Sequence, residues 1–239
     1  MSTVKYYAAR KFSDLSSALS HKLYGEIRGV NMRWVPLTSC DEYIIAGGTN
    51  LATAGYKSHV WCSGYSASFG RTQRPHKIHS LRGPMSQNRA KNHMNVTAPC
   101  AGDPLLLISD LYEITDEALK PCIFTKKQIT SEVASNLGDC RKISVSDGLE
   151  TILTAIKNSS FVLTDVYEGL IFADSYKVPS SYISGGAVPF VVRDYLENFD
   201  YGCQSIIDEI PDALQNFSGA NARDTFKLRN ILLKTLPTL

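Results

Sequence analysis

The stretch from Ser146 to Pro179 constrains the fold more than any other, because it packs three elements into quick succession. Ser146 or Asp147 can cap a helix, with Glu150 three residues after Asp147 in the register of a capping box. Leu149, Ile152, Leu153 and Ile156 then fall on one helical face. Asn158-Ser159-Ser160 breaks that pattern, and Phe161-Val162-Leu163 is a short apolar run of the kind found in buried parallel strands. Thr164 to Gly169 turns, and Leu170 to Tyr176 restarts a helix that must end before Pro179. Helix, strand, polar loop and helix make half of a doubly wound α/β unit. Ligands of such sheets sit in the loops outside the carboxyl ends of the strands. Thr164, Asp165, Tyr167, Glu168 and Gly169 are therefore the first candidate site.

The rest of the chain extends the same pattern. Val4 to Ala8, Met32 to Leu37 and Glu42 to Ala46 read as strands, as do Asn95 to Ala98, Cys122 to Lys126, Lys142 to Val145 and Ser180 to Ser184. Between the first two, Ser13 or Asp14 can cap a helix with Leu15, Ala18, Leu19 and Leu23 on its inner face. Ile129 to Leu137, Ile206 to Phe217 and Asp224 to Leu236 read as further helices. Gly47-Gly48-Thr49 follows an apolar strand, where glycines let backbone N–H groups approach an anion; two glycines also simply make a turn. No repeat or low-complexity tract interrupts this order.

Composition narrows the function classes. A chain of 239 residues can bury a core as one large domain or two small ones. Its net charge of +2 is too small to argue for nucleic acid. No apolar run approaches the roughly 20 residues of a membrane span, and the first twelve residues contain no apolar signal core. Cys40, Cys62, Cys100, Cys122, Cys140 and Cys203 are scattered without a C-x-x-C pair, the usage of reduced, packed thiols rather than of a zinc site. The expected location is the cytoplasm.

Charge is nonetheless segregated along the chain. Between Glu42 and Asp103 no residue is acidic. The interval holds Lys57, Arg71, Arg74, Lys77, Arg82, Arg89 and Lys91, together with His59, His76, His79 and His93. Such a segment is either a solvated basic face or a positive field that concentrates an anionic small-molecule ligand.

Several short motifs, in order along nearly the whole chain, resemble the polysaccharide pyruvyl transferase family, especially its branch that forms exopolysaccharide ketals. Leu170-Ile171-Phe172-Ala173-Asp174-Ser175-Tyr176-Lys177-Val178-Pro179 is similar to that family's Ile-x-Ala-Asp-Ala-Tyr-Gly-Ile-Pro helix. Val60-Trp61-Cys62-Ser63-Gly64-Tyr65 resembles its Val-Trp-Gly-Ser-Gly-Phe, and Arg82-Gly83-Pro84 its Arg-Gly-Pro. Gly102-Asp103-Pro104 with Leu106-Leu107 resembles its Gly-Asp-Pro-x-x-Leu-Leu. Phe190 to Leu196 resembles its Phe-x-Phe-x-Asp-Tyr-Tyr, and Phe12 and Asp14 match its opening Asn-Phe-Gly-Asp. The resemblance implies two Rossmann-like halves facing across a cleft, as in B-type glycosyltransferases. The expected halves are 1–110, on the acceptor side, and 111–239, on the donor side, with room for the last helices to cross back.

The same resemblance implies a site. Gly48, Thr49, Ser63 and Gly64 would line the cleft, Arg82 would contact an anionic donor phosphate, and Asp14 or His79 would act as the base. Asp14 and Asp103 also read as simple helix caps. One departure bears on the chemistry: the family's histidine position is Glu168 and its occasional arginine position Val166. A carboxylate repels phosphoenolpyruvate, whereas it accepts hydrogen bonds from sugar hydroxyls. The leading expectation is an inverting glycosyltransferase using a nucleotide sugar and a glycan acceptor. Without an Asp-x-Asp triad, transfer is expected to be metal-independent, with no resident cofactor. Pyruvyl transfer from phosphoenolpyruvate is the alternative, and a non-catalytic carbohydrate-binding relative the third. The oligomeric state is left open.

Overall fold

The computed structural model describes residues 2–7, 15–36, 41–66, 73–126, 139–199, 206–207 and 222–239. They form two compact units. Unit 1 comprises Met1–Leu107, Pro189–Asp200 and Phe226–Leu239, and unit 2 comprises Ile108–Val188 and Tyr201–Thr225. The chain therefore first leaves unit 1 after Leu107, then returns to it twice.

Unit 1 is built on five parallel strands: β1 (Thr3–Tyr6), β2 (Asn31–Trp34), β3 (Tyr43–Ala46), β4 (Ser58–Ser63) and β5 (Lys77–Leu81), in the order β2-β1-β3-β4-β5. This is the doubly wound order, in which the winding reverses between β1 and β3 and leaves a crevice outside their carboxyl ends. The central strands β3 and β4 are buried at every residue, as strands covered on both faces must be. Tyr43, Ile45, Leu51, Val60, Tyr65, Leu81, Ala90 and Phe190 pack into one apolar core.

Helix α1 (Leu15–Arg28) buries Leu23 as expected but otherwise differs from its expected packing. Ala18 is exposed and Leu19 only half-buried, whereas Ser16, Ser17, Ser20 and His21 are buried. Burying hydroxyls and an imidazole is tolerable only when they are hydrogen-bonded, and here they are. Ser17 Oγ donates to the Ala46 carbonyl at 3.1 Å, Ser20 Oγ to that of Ser16 at 2.6 Å, and Ser16 Oγ to Asp103 Oδ2 at 2.8 Å. His21 Nδ1 lies 2.6 Å from the Ser17 carbonyl, and its Nε2 accepts from the Ala46 amide at 3.0 Å.

β5 and helix α2 (Pro84–Met94) lie where the sequence reads chiefly as a charged segment. Pro84 suits the first turn of a helix, where its missing N–H leaves no intrahelical bond unmade. The strand expected at Asn95 to Ala98 is not formed. Asn95 adopts a left-handed conformation (φ 52°) that ends α2, and only an isolated bridge joins Leu81 to Cys100.

Unit 2 repeats the design: β6 (Lys120–Thr125), β7 (Arg141–Ser144), β8 (Ser159–Thr164), β9 (Ser180–Ile183) and β10 (Ile206–Ile207). They pair in parallel in the order β10-β9-β8-β6-β7. Counted within the unit this is again the order two-one-three-four-five, with its reversal between β6 and β8. Both sheets are all-parallel, and the protein is an α/β fold of two Rossmann-like halves. Ile206–Ile207 is a strand where a helix is expected to start; 208–217, the rest of that expected helix, lies outside the described residues, as does the helix expected at 129–137.

Helix α3 (Leu149–Lys157) buries Ile152, Leu153, Ala155 and Ile156 as its periodicity requires. The expected capping box does not form. Gly148 is the N-cap, and Asp147 Oδ2 instead accepts the Ser144 amide at 2.9 Å. Helix α4 (Tyr167–Ser175) is buried at all nine of its residues, the acids Glu168 and Asp174 included. It lies so close to the sheet that a Cβ on Gly169 would stand 2.5 Å from Thr164 Oγ1 and 2.7 Å from Phe124 Cδ1. Asp174, fully buried near its end, is held by Arg223 through Nε at 2.9 Å and Nη2 at 2.8 Å.

The two returns complete unit 1 as α5 (Phe190–Leu196) and α6 (Phe226–Lys234). The α6 segment is fixed by polar contacts. Trp61 Nε1 donates to the Leu232 carbonyl at 3.3 Å, Tyr24 Oη to that of Pro237 at 3.0 Å, and Thr235 Oγ1 to Ser80 Oγ at 3.0 Å. Among the described residues no helix is long and apolar enough to cross a membrane.

Candidate functional site

In unit 1 the loops leaving β3 and β4 meet at the carboxyl end of the sheet. Gly47 and Gly48 both take left-handed conformations (φ 57° and 61°), which turn the chain sharply off β3. Gly64 N donates to the Gly48 carbonyl at 3.0 Å, and Ser63 Oγ reaches the same carbonyl at 3.4 Å. Cys62, just before them, is left-handed at φ 57° although it is not glycine, and β4 slips register there against β5. Such a conformation costs on the order of 1–2 kcal/mol for a residue with a Cβ. It turns Ser63 and Gly64 toward Gly48.

Arg82 holds this arrangement from below. It is completely buried, with Nε on Asp194 Oδ2 at 2.9 Å, Nη1 on the Gly48 carbonyl at 2.9 Å and Nη2 on the Tyr65 carbonyl at 2.7 Å. The expectation that Arg82 contacts a donor phosphate is therefore corrected. Its guanidinium ties the β3 and β4 loops to α5 and faces no solvent. A Cβ on Gly64 would stand 2.4 Å from Arg82 Cζ, so the glycine gives the guanidinium its room. Asp194 is equally enclosed and also accepts Ser86 N at 2.8 Å and Ser86 Oγ at 2.6 Å.

Asp103 is the cap that its place before a proline suggests. It accepts Leu105 N at 3.0 Å and Ser16 Oγ at 2.8 Å and is fully buried. Of the residues named for this half, Gly48, Ser63 and Gly64 come together, with Ser63 and Gly64 buried and Thr49 half-exposed. Asp14 lies outside the described residues.

His79 is not with them. It is the middle residue of β5, two before Leu81, which pairs with Ser63, and its Nε2 lies 3.1 Å from His59 Nδ1. Burial, with Lys77, His59 and His76 adding to it, lowers its pKa to about 4. His79 is thus a weak base engaged with His59, which argues against its assignment as the base of a carboxyl-end site.

Part of the acid-free segment reaches the loops, through Arg82 on Gly48 and Tyr65 and Arg89 on Ser66. Lys57 and Lys77 sit at the amino ends of β4 and β5, and Arg89 stacks over Phe190 at 4.4 Å from the ring centroid and donates to the Ser66 carbonyl at 3.3 Å. Arg71 lies outside the described residues.

In unit 2 the site predicted by the sequence forms a compact group at the reversal between β6 and β8. Thr164 ends β8, and its Oγ1 accepts the Val166 amide at 2.9 Å, which shapes the turn. Asp165 Oδ1 accepts the Lys126 amide at 2.9 Å and so bridges the carboxyl ends of β8 and β6. Tyr167 and Glu168 form the first turn of α4 and are buried at 7% exposure each, and Gly169 provides the close approach described above.

Tyr182 of the neighbouring strand β9 joins this group, although nothing in the sequence singles it out. Its hydroxyl is pushed up to about 12, first by burial and then by the carboxylates of Asp165 and Glu168. The two acids and the phenol thus share one electrostatic neighbourhood, built by register: Thr164 pairs with Tyr182 across β8 and β9. Beyond β9, Gly185 and Gly186 adopt positive φ values of 52° and 137° in an exposed turn.

Elsewhere in unit 1 an open groove of about 370 Å³ runs beside α1 and β2, lined by His21, Lys22, Gly25, Glu26, Asn31 and Met32 among others. Compared with protein-family models and with curated protein sequences, the chain matches none.

Proposed function

We propose that the chain is a glycan-modifying transferase that moves a sugar from a nucleotide sugar to a glycan hydroxyl with inversion. The observation that carries this reading is the pair of carboxylates, Asp165 and Glu168, gathered with Tyr182 at the β6/β8 reversal of a doubly wound sheet. Carboxylates are acceptors with several lone-pair directions each, suited to the vicinal hydroxyls of a ribose or hexose. The first turn of α4 begins at the same place, and its backbone amides suit a diphosphate. A donor placed there presents its hydroxyls to Asp165 and Glu168 and its diphosphate to the helix.

In this reading the loops of unit 1, Gly47 to Thr49 and Ser63 to Gly64, serve the acceptor, and Arg82 keeps them in place. With His79 engaged by His59 and lowered in basicity, Asp14, which lies between β1 and α1 in the sequence, is the proposed base. Pyruvyl transfer is the weaker reading. Phosphoenolpyruvate, unlike a nucleotide sugar, offers no hydroxyls for the Asp165 and Glu168 carboxylates to accept from, so their negative charge is not offset by such bonds.

A melting screen of the whole chain against uridine and guanosine diphosphates, their sugar conjugates and phosphoenolpyruvate tests this. A ligand at a hundred times its dissociation constant adds about 2.7 kcal/mol of stability. Stabilisation by a nucleotide sugar, lost in Glu168→Ala, supports the proposal. Stabilisation by phosphoenolpyruvate alone transfers the chain to pyruvyl chemistry, and a flat screen removes the catalytic reading.

A further inference from the structure

At the amino-terminal edge of the unit 1 sheet, away from the carboxyl-end loops of the same sheet, three side chains far apart in sequence converge. Glu42 immediately precedes β3, His59 is the second residue of β4, and His76 immediately precedes β5. The parallel register sets Tyr43 opposite Ser58 and His59 opposite Lys77, which brings the three to one level. One ligand atom from each lies within 4.8 Å of the others.

The distances suit a metal better than a hydrogen bond. Glu42 Oε2 is 3.4 Å from His59 Nε2, and Glu42 Oε1 is 3.9 Å from His76 Nε2. A good N–H···O bond is shorter, about 2.7–3.2 Å. A tetrahedral zinc ion with bonds of about 2.0–2.2 Å holds its nitrogen and oxygen ligands about 3.3–3.5 Å apart. Glu42 and His59 already stand at that separation. His76, about half exposed, needs only a small side-chain rotation to complete the triangle.

A second observation points the same way. His59 is only 6% exposed, and its enclosed Nε2 makes no hydrogen bond of ordinary geometry, its nearest acceptor being the Glu42 carboxylate at 3.4 Å. Buried polar atoms without a partner are rare and call for an explanation. On the other side of the ring, His59 Nδ1 lies 3.1 Å from His79 Nε2. When Nδ1 carries the proton and His79 accepts it, Nε2 presents a lone pair toward Glu42 and His76. Metal-bound histidines are oriented in this way, by donating from the other ring nitrogen to an outer partner.

We propose that Glu42, His59 and His76 bind a divalent transition-metal ion of the zinc class, with His79 as the residue that orients His59. Two imidazoles favour zinc, cobalt, nickel or copper over magnesium and calcium, which take oxygen ligands. Three protein ligands leave a fourth position for water, on the solvent side where Glu42 and His76 are exposed. The ion joins the amino ends of three adjacent strands. This site is independent of the proposed transferase reaction.

The test uses the full chain, stripped with a chelator and titrated with zinc chloride or cobalt chloride alone. One equivalent of zinc is expected to bind at micromolar or tighter affinity, and cobalt to give the intense visible bands of a four- or five-coordinate ion, abolished by chelator. His76→Ala and Glu42→Gln change exposed side chains, and far-ultraviolet circular dichroism checks that both remain folded. Each should weaken zinc binding by tenfold or more. His79→Gln, which keeps an acceptor, should retain affinity better than His79→Leu; equal affinities would remove His79 from the site. No stoichiometric binding by the parent chain, or less than a tenfold effect in either His76→Ala or Glu42→Gln, overturns the proposal.

Discussion

Arg82 and Asp194 form an ion pair of 2.9 Å between two side chains with no exposure at all, joined across 112 residues of sequence. The Gly48 and Tyr65 carbonyls satisfy the remaining guanidinium edges, and Ser86 satisfies the carboxylate. Enclosing two charges is costly, and the cost is offset by bonds to each guanidinium nitrogen and each carboxylate oxygen. Removing one member leaves the other charged and unmatched. Arg82→Ala and Asp194→Ala should each lower stability by about 3–5 kcal/mol. The double variant should lose less than the sum, with a coupling of about 0.5–3 kcal/mol. Denaturant midpoints of the four proteins measure this, and strict additivity would show that the pair does not act as a unit.

Gly83 faces the same helix. Its backbone is extended (φ −158°), so conformation does not require glycine, but a Cβ there would lie 1.7 Å from the Asp194 carbonyl oxygen. The obstacle is backbone, which cannot rotate away. Gly83→Ala should cost at least about 1–3 kcal/mol through overpacking, read as a lowered melting temperature. An unchanged melting temperature would mean that α5 moves freely relative to the β5–α2 turn.

Gly148 offers the opposite sign. It caps α3 without a side chain to bond the first-turn amides, and a Cβ there meets nothing within 4 Å. Gly148→Ser should stabilise the chain by a few tenths of a kcal/mol. Thermal denaturation of the two proteins side by side decides it.

His21 predicts a pH dependence. Burial lowers its pKa to about 4 against an unfolded value of 6.5, despite the bonds to Ser17 and Ile44. Between these values the unfolded chain binds a proton that the folded chain refuses. Stability is therefore fully present above about pH 6.5 and declines as pH falls toward 4, by about 3 kcal/mol from this group. His59 and His79, also lowered, add in the same direction. The His21 ring resonances should not titrate between pH 8 and pH 5.5, and denaturant midpoints should drop across the acid side of that range. A ring that titrates near 6.5 contradicts the buried, neutral assignment.

Glu168 separates the chemical readings. If it binds donor hydroxyls, Glu168→Gln should weaken nucleotide-sugar binding and Glu168→Ala should weaken it further, by about 1.5–3 kcal/mol for a charge-assisted bond. If the donor is phosphoenolpyruvate, removing the carboxylate should improve binding instead. Calorimetric titration of both ligands against the three proteins gives the sign.

Local sequence determined the type of most elements and the place of Asp165 after β8. A period of 3.6 or a run of buried β-branched residues is set by neighbours in the chain, and a polar turn after a strand must lie at the strand's carboxyl end. The α/β class and two Rossmann-like halves were legible on that basis, whereas the turn expected from Thr164 to Gly169 is shorter, because α4 begins at Tyr167 and takes in Glu168 and Gly169. Three things were not legible. The burial of α1 through Ser16, Ser17, Ser20 and His21 depends on acceptors supplied by Ala46 and Asp103, so hydrophobic spacing pointed to Ala18 and Leu19 instead. The role of Arg82 was decided by a carboxylate on a segment that returns from far along the chain; a basic residue in an acid-free stretch looks available until its partner arrives. Glu42, His59 and His76 have no spacing that marks them as a group, because parallel pairing of β3, β4 and β5 makes neighbours of residues that the connections between those strands hold far apart in sequence. Periodicity reports which face of an element is buried, and only the assembled sheet reports what that face meets.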